Sequence, residues 1–150
     1  MLIDMFVTRE DLMYSDILRL LECLDVDFAR RLSEQLDLHE YSKKLEVYAE
    51  FVTARCEDNS IVGLIAYYTN NISHEYYIPY VCVCANHRRM GIADALLSEF
   101  CRIADDNGMV VSLEVRVDNK GAINLYRKYG FNIVVSNDVK HLMKRVIELT

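Results

Sequence analysis

Leu113-Glu114-Val115-Arg116-Val117-Asp118-Asn119, then Ala122-Ile123, Leu125-Tyr126 and Tyr129-Gly130-Phe131, carries two periodicities in succession. Over Val110 to Val117, alternation puts Leu113, Val115 and Val117 on one face of a strand and Ser112, Glu114 and Arg116 on the other. From Lys120 to Tyr129 the apolar spacing turns helical, and Gly130 supplies a residue suited to closing that helix. A strand that hands over directly to a helix predicts a layered α/β arrangement.

Working toward the N-terminus, Ile92, Leu96, Leu97, Phe100, Ile103 and Ala104 form an apolar helical stripe that Asn107-Gly108 stops. Glu75 to Ala85 reads as a strand, and Phe51 to Cys56 and Ile61 to Tyr68 read as a hairpin around the polar turn 57–60. Thr8-Arg9-Glu10-Asp11 has the form of a capping box, with Val7 and Leu12 placed to staple the entry of a helix. Helical spacing at Leu12, Ile17, Leu20, Leu21 and Leu24 follows, and resumes at Phe28, Leu32 and Leu36, so the first forty-odd residues are expected to be mainly helical. Toward the C-terminus, Phe131 to Val135 and His141 to Leu149 read as strands. From the hairpin onward the expected order is therefore β-β-β-α-β-α-β-β.

At 150 residues, with 52% hydrophobic and 27% charged, the chain is expected to fold as one domain, 1–150, around a real core. The N-terminus is acidic where a secretory signal is basic, and no apolar run approaches the roughly 20 residues of a membrane span, so a cytoplasmic location is expected. Cys23, Cys56, Cys82, Cys84 and Cys101 are odd in number and lie among apolar residues, and are read as reduced core thiols with no metal role. Residues 1–60 carry 7 Lys and Arg against 14 Asp and Glu, while the remainder carries 10 against 9. Such an acidic field disfavours a nucleic-acid partner and suits a cationic one, although a solvated helix face gives the same pattern.

Arg88-Arg89-Met90-Gly91-Ile92-Ala93 lies between a strand and an amphipathic helix. Gly91 and Ala93 are small where first-turn amides are still free, and the helix N-terminus with two arginines makes an anion site. A basic surface turn would read the same way. The loop is neither G-x-x-x-x-G-K-[ST] nor G-x-G-x-x-G, which disfavours nucleoside triphosphates and NAD. It resembles the [Q/R]-x-x-G-x-[G/A] signature with which Gcn5-related N-acetyltransferases (GNAT) hold the pyrophosphate of coenzyme A. The stretch from Leu113 to Phe131 likewise resembles that family's L-E-V-x-x-x-N-x-x-A-I-x-L-Y-x-x-x-G-F block, most closely as it occurs in ribosomal-protein N-terminal acetyltransferases. The two motifs and the strand before them cover roughly Ile78 to Val134.

The resemblance implies a three-layer α-β-α fold with a mixed, mostly antiparallel sheet whose central strands splay. It implies an N-acetyltransferase moving acetyl from acetyl-CoA directly to a primary amine: a small amine, an amino sugar or a peptide N-terminus. Arg88, Arg89, Met90, Gly91, Ile92 and Ala93 would hold the pyrophosphate, with backbone groups near Val81 and Val83 pairing with the pantetheine arm. Asn119 would bond that arm or cap its helix, and Tyr126 would protonate the leaving sulfur unless it is only a core tyrosine. Glu114 would receive the amine proton through water, or else form a cross-strand ion pair with Arg116 or another base. Glu75, Tyr76 and Tyr77 are rival bases or acceptor contacts, and His74 and His87 are relays or merely solvated. Tyr67, Tyr68, Tyr76, Tyr77 and Tyr80 either line an acceptor pocket or pack. Expected partners are acetyl-CoA and an amine, without nucleic acid or membrane, and a homodimer is left open. A non-catalytic acyl-CoA-binding sensor or interaction module would bind without turnover. A binder of some other phosphate ligand would need no pantetheine arm.

Overall fold

A computed structural model describes residues 5–22 and 37–146. Its strands are β1 (Met5–Glu10), β2 (Glu50–Cys56), β3 (Ile61–Asn70), β4 (Glu75–Val83), β5 (Val110–Arg116), β6 (Asn132–Ser136) and β7 (Lys140–Arg145). Its helices are α1 (Tyr14–Glu22), α2 (Leu38–Tyr48), α3 (Ile92–Asp106) and α4 (Lys120–Lys128), with a single 3-10 turn at Ala85–His87. The strands form one seven-stranded sheet in the order β1-β2-β3-β4-β5-β7-β6. Every neighbouring pair is antiparallel except β4 and β5, which run parallel.

That parallel ladder is short. It runs from Glu75 opposite Val110 to Ile78 opposite Leu113 and stops there, although both strands continue, β4 to Val83 and β5 to Arg116. The next residue on β4 is Pro79, the one proline of the chain, which has no N–H to give a partner strand. On the other side of β4, Tyr68 faces Tyr77 and Ala66 faces Tyr80, so β4 spends one residue more than β3 between the two pairs. This bulge resets the alternation. Tyr76 and Ile78 point into the core beneath α3, whereas Tyr80 and Cys82 point into the core beneath α1 and α2.

The two cores are the two faces of the sheet. Leu96, Leu97, Phe100 and Ala104 of α3 pack with Val111, Leu113 and Val115 of β5 and with Ile123 of α4. Leu12, Ile17, Leu20, Leu21 and Leu45 pack with Phe51, Leu64 and Ala66 on the opposite face. Each fully buried Leu or Phe contributes roughly 1.5–3 kcal/mol. The predicted hairpin, the α3 stripe and the strand-to-helix handover from β5 to α4 stand as read.

The N-terminus departs from expectation. Thr8, Arg9 and Glu10 belong to β1 and pair with Thr53, Val52 and Phe51 of β2, and the helix begins only at Tyr14. The side chains explain this. Glu10 receives bonds from Arg55 Nε at 3.0 Å and Nη2 at 2.7 Å and from Thr53, and Arg9 reaches Glu50 at 2.8 Å, so the charges that suggested a cap serve cross-strand pairs instead. Val7 and Leu12 pack in different cores, so no staple forms. The expected helical residues Phe28, Leu32 and Leu36 lie outside the described residues, and α2 starts beyond them with Asp37 as its N-cap. The predicted strand from His141 to Leu149 begins one residue earlier and is described to Arg145. Cys56, Cys82, Cys84 and Cys101 form no disulfide among the described residues, Cys23 lies outside them, and burial pushes the Cys101 thiol up to about 11.

Candidate active site

Chain geometry around residues 85–94 builds an anion cradle. Beyond β4 and the short 3-10 turn, Arg89 has φ 63 and Gly91 φ 77, both in the left-handed region. Gly91 is the N-cap of α3 and offers no side chain to its first amides, which leaves them facing outward. A left-handed arginine costs on the order of 1 kcal/mol, a strain that fits a loop shaped for a ligand rather than for its own stability. With the helix dipole and two arginines, the N-terminal turn of α3 is suited to a diphosphate.

Two contacts that the sequence reading did not single out hold this turn in place. A Cβ on Gly63 of β3 would lie 3.0 Å from the Cys82 carbonyl oxygen and 3.0 Å from Ile92 Cγ2, so any larger residue would push on the first turn of α3 where it sits against the sheet. The visible signal was a glycine inside an apolar strand. The second contact is at Asp94, whose Oδ1 receives Lys128 Nζ at 2.6 Å and the Tyr129 hydroxyl at 2.9 Å. These bonds, the lysine's above all, hold the Asp94 carboxyl below its ordinary range and tie the start of α3 to the end of α4.

Where β4 and β5 part, a cavity of about 400 Å³ opens beside the cradle. Val81, Val83, Arg88, Arg89, Gly91, Ile92, Ala93, Asn119 and Tyr126 all line it, together with His87 and Asp94. The residues fit the pyrophosphate and pantetheine arm of coenzyme A. The last part of β4 lacks a strand partner on the β5 side, the anion cradle closes one end, and the walls are mostly apolar. Asn119 is the N-cap of α4, its side-chain oxygen accepting from Ala122 N at 3.2 Å, so the capping role is filled while the residue still faces the cavity. Tyr126 packs with its ring centroid 5.7 Å from that of Phe131. Burial pushes its hydroxyl up to about 12, so it remains protonated at neutral pH and is suited to giving a proton rather than taking one.

Met90 and Glu114 stand apart from this cavity. Met90 is exposed on the loop. Glu114 projects from β5 on the face away from Leu113 and Val115, and its Oε2 lies 3.5 Å from Lys140 Nζ. The cross-strand pair is therefore formed, with Lys140 rather than Arg116, which pairs with Asp118 at 3.2 Å. The tyrosines divide across the sheet. Tyr67 and Tyr76 are buried with Phe100, at centroid distances of 4.8 and 5.7 Å, and Tyr80 meets Tyr41 edge-on at 6.4 Å. Tyr68 and Tyr77 instead line a second, smaller cavity of about 280 Å³ with Glu75 and Ser73. His87 borders the first cavity, whereas His74 is an exposed turn residue with φ 54.

The acetyltransferase (GNAT) family profile matches residues 16–131, and the chain belongs to that family. Over 56 residues it is 45% identical to an N-alpha-acetyltransferase of Sulfurisphaera tokodaii, a match covering 36% of this chain and 34% of that protein. Over 55 residues it is 40% identical to the L-amino acid N-acetyltransferase AaaT of Escherichia coli, covering 35% and 34%. The chain thus spans about a third of the length of these curated relatives. Among solved structures, Ard1 from Thermoplasma volcanium superposes with a TM-score of 0.75 at 27% identity over 95% of this chain and 99% of that one. The PaiA N-acetyltransferase from Thermoplasma acidophilum, in complex with coenzyme A, gives 0.77 at 16% identity over 95% and 99%, a likeness of fold.

Proposed function

We propose that this protein is an acetyl-CoA-dependent N-acetyltransferase acting on a primary amine in the cytoplasm. One observation carries the reading: residues of the cradle at Arg88–Ala93, the end of β4 beyond its β5 ladder and Tyr126 all border a single cavity. Acetyl-CoA, when bound, supplies an acetyl thioester activated toward amines. The family membership and the coenzyme A complex of the PaiA neighbour support that donor.

The residues then divide the work. Arg88, Arg89 and the first amides of α3 bind the diphosphate, while Met90 borders the loop without reaching the cavity. Backbone groups near Val81 and Val83 hold the arm as an added strand. Transfer forms a C–N bond and breaks a C–S bond, so the amine loses a proton and the departing thiolate gains one. Tyr126 gives its proton to the sulfur. Glu114, across the sheet at the mouth of the gap, takes the ammonium proton through water. The test combines calorimetry with acetyl-CoA and a thiol-release assay over a panel of amines. Binding together with turnover supports the enzyme, binding without turnover favours a sensor, and no binding removes the proposal.

A further inference from the structure

The sheet face opposite the cofactor cavity carries charges in a pattern that bears on the acceptor. Glu114 is the first β5 residue past the final β4 pair, so its carboxylate stands where the gap begins. It does not stand alone, because Lys140 reaches it at 3.5 Å. Glu75, one wall of the second cavity, receives the Ser112 hydroxyl and lies 3.8 Å from Lys144 Nζ. In a chain with a net charge of −6, Glu75 and Glu114 are locally balanced, each facing a lysine from β7. A polycation gains less from such a pair of sites, since Glu75 and Glu114 each already face a lysine. A molecule carrying both signs can exchange with both partners.

The spacing narrows this further. Lys144 sits opposite Ser112 in the β5–β7 register, two residues from Glu114 on the same face. Across an antiparallel pair, diagonal neighbours such as Glu114 and Lys144 lie about 7–8 Å apart. An amine placed at Glu114 thus has, roughly 7–8 Å away, an ammonium group that an acceptor carboxylate can share with Glu75, a separation of about two extended residues. Tyr77 and Tyr68 wall the second cavity beside Glu75, the partner of Lys144, and offer ring surface next to the two charges. The negative charge of Glu114 near Tyr77, second to burial, helps hold that hydroxyl above its ordinary range, which agrees with their proximity.

We propose that this face is the acceptor subsite and that Lys144 makes it selective for amines bearing a carboxylate about two residues away, as in a dipeptide or a peptide N-terminus followed by an acidic residue. The inference rests on the acetyltransferase reading above.

Its test is a comparison of kcat/KM for four acceptors: the dipeptide Ser-Ala, its C-terminal amide, a longer Ser-Glu peptide amide, and spermidine. Ser-Ala or the Ser-Glu peptide should exceed the neutral amide and spermidine by about 10-fold, the scale of one charge-assisted bond. Preference for Ser-Ala alone marks a free dipeptide acceptor, and preference for the Ser-Glu peptide marks a chain terminus. Lys144→Gln should erase the preference through KM with kcat little changed, Lys144→Arg should restore it, and Lys144→Glu should favour spermidine. Spermidine as the best acceptor, an unchanged preference in Lys144→Gln, or no turnover of any of the four overturns the subsite. Intact acetyl-CoA binding in those cases leaves the cofactor reading standing, whereas lost binding in the unaltered protein sinks that reading itself.

Discussion

Ile78 faces Leu113 in the last rung of the parallel ladder, and one residue later Pro79 withholds the N–H that a further rung needs. The cavity that Tyr126 borders begins beyond this rung. Extending the ladder would close it.

Replacing Tyr126 with Phe should lower kcat by about 10²-fold while leaving the acetyl-CoA Kd nearly unchanged, because only the proton donor is removed. The sign of the pH effect follows from the raised hydroxyl: with a value of about 12, Tyr126 stays protonated throughout the usual assay range. Loss of rate between pH 8 and 10 that vanishes in Tyr126→Phe would contradict the assignment. A pH-rate profile of both proteins decides it.

Gly63→Val should weaken acetyl-CoA binding although residue 63 lies outside the cavity lining. Its side chain would strike Ile92 and the Cys82 carbonyl and displace the first turn of α3. Overpacking of this kind costs about 1–3 kcal/mol, readable as a lower Tm together with a higher Kd.

At Gly91 nothing beyond the chain neighbours lies within 4 Å of an added Cβ, so the difficulty is φ 77 itself. Gly91→Asn should therefore retain more acetyl-CoA affinity than Gly91→Val, since asparagine tolerates left-handed backbone and a β-branched residue does not. Calorimetry on the two variants should show the gap. Equal affinities would mean that the loop does not need this conformation.

Acid should loosen the frame before it alters the fold of isolated elements. Glu10 is held below its ordinary range by Arg55, Asp94 by Lys128 and Tyr129, and Asp105 by Arg145, which grips it at 2.8 and 2.9 Å. Each is depressed in the folded state, so its contribution is complete above the unfolded carboxylate value of about 4 and is lost as pH falls through the folded value. Denaturant melts at pH 7 and pH 3 should show the drop, and Asp105→Asn should lessen it.

Much of this arrangement was legible in the chain. The β5–α4 handover, the stripe on α3 and the loop at 88–93 each depend on local periodicity or on a glycine at a helix start, and local signals suffice for them. The start of the chain was misread because Thr8 and Glu10 suit a cap and a cross-strand pair equally, and only β2, forty residues away, chooses between them. The division of the tyrosines was equally hidden. Strict alternation along β4 gives no hint that Tyr76 and Tyr80 face opposite ways, because the extra residue appears only against β3. Lys140 and Lys144 drew no notice for a related reason: their partners lie on other strands.

The extra residue in β4 acts like a change of reading frame in three dimensions. Upstream of it, even-numbered positions feed the layer under α3; downstream, that layer and the cavity receive odd-numbered ones, Val81 and Val83. A strand of the same length without that offset would present Tyr80 and Cys82 there instead, so tyrosine and thiol would fill the space that valines leave open, whereas deleting residue 79 removes the offset itself and keeps both valines on their face. The cavity wall is thus set by one uneven rung and not by the valines' own places in the count along β4.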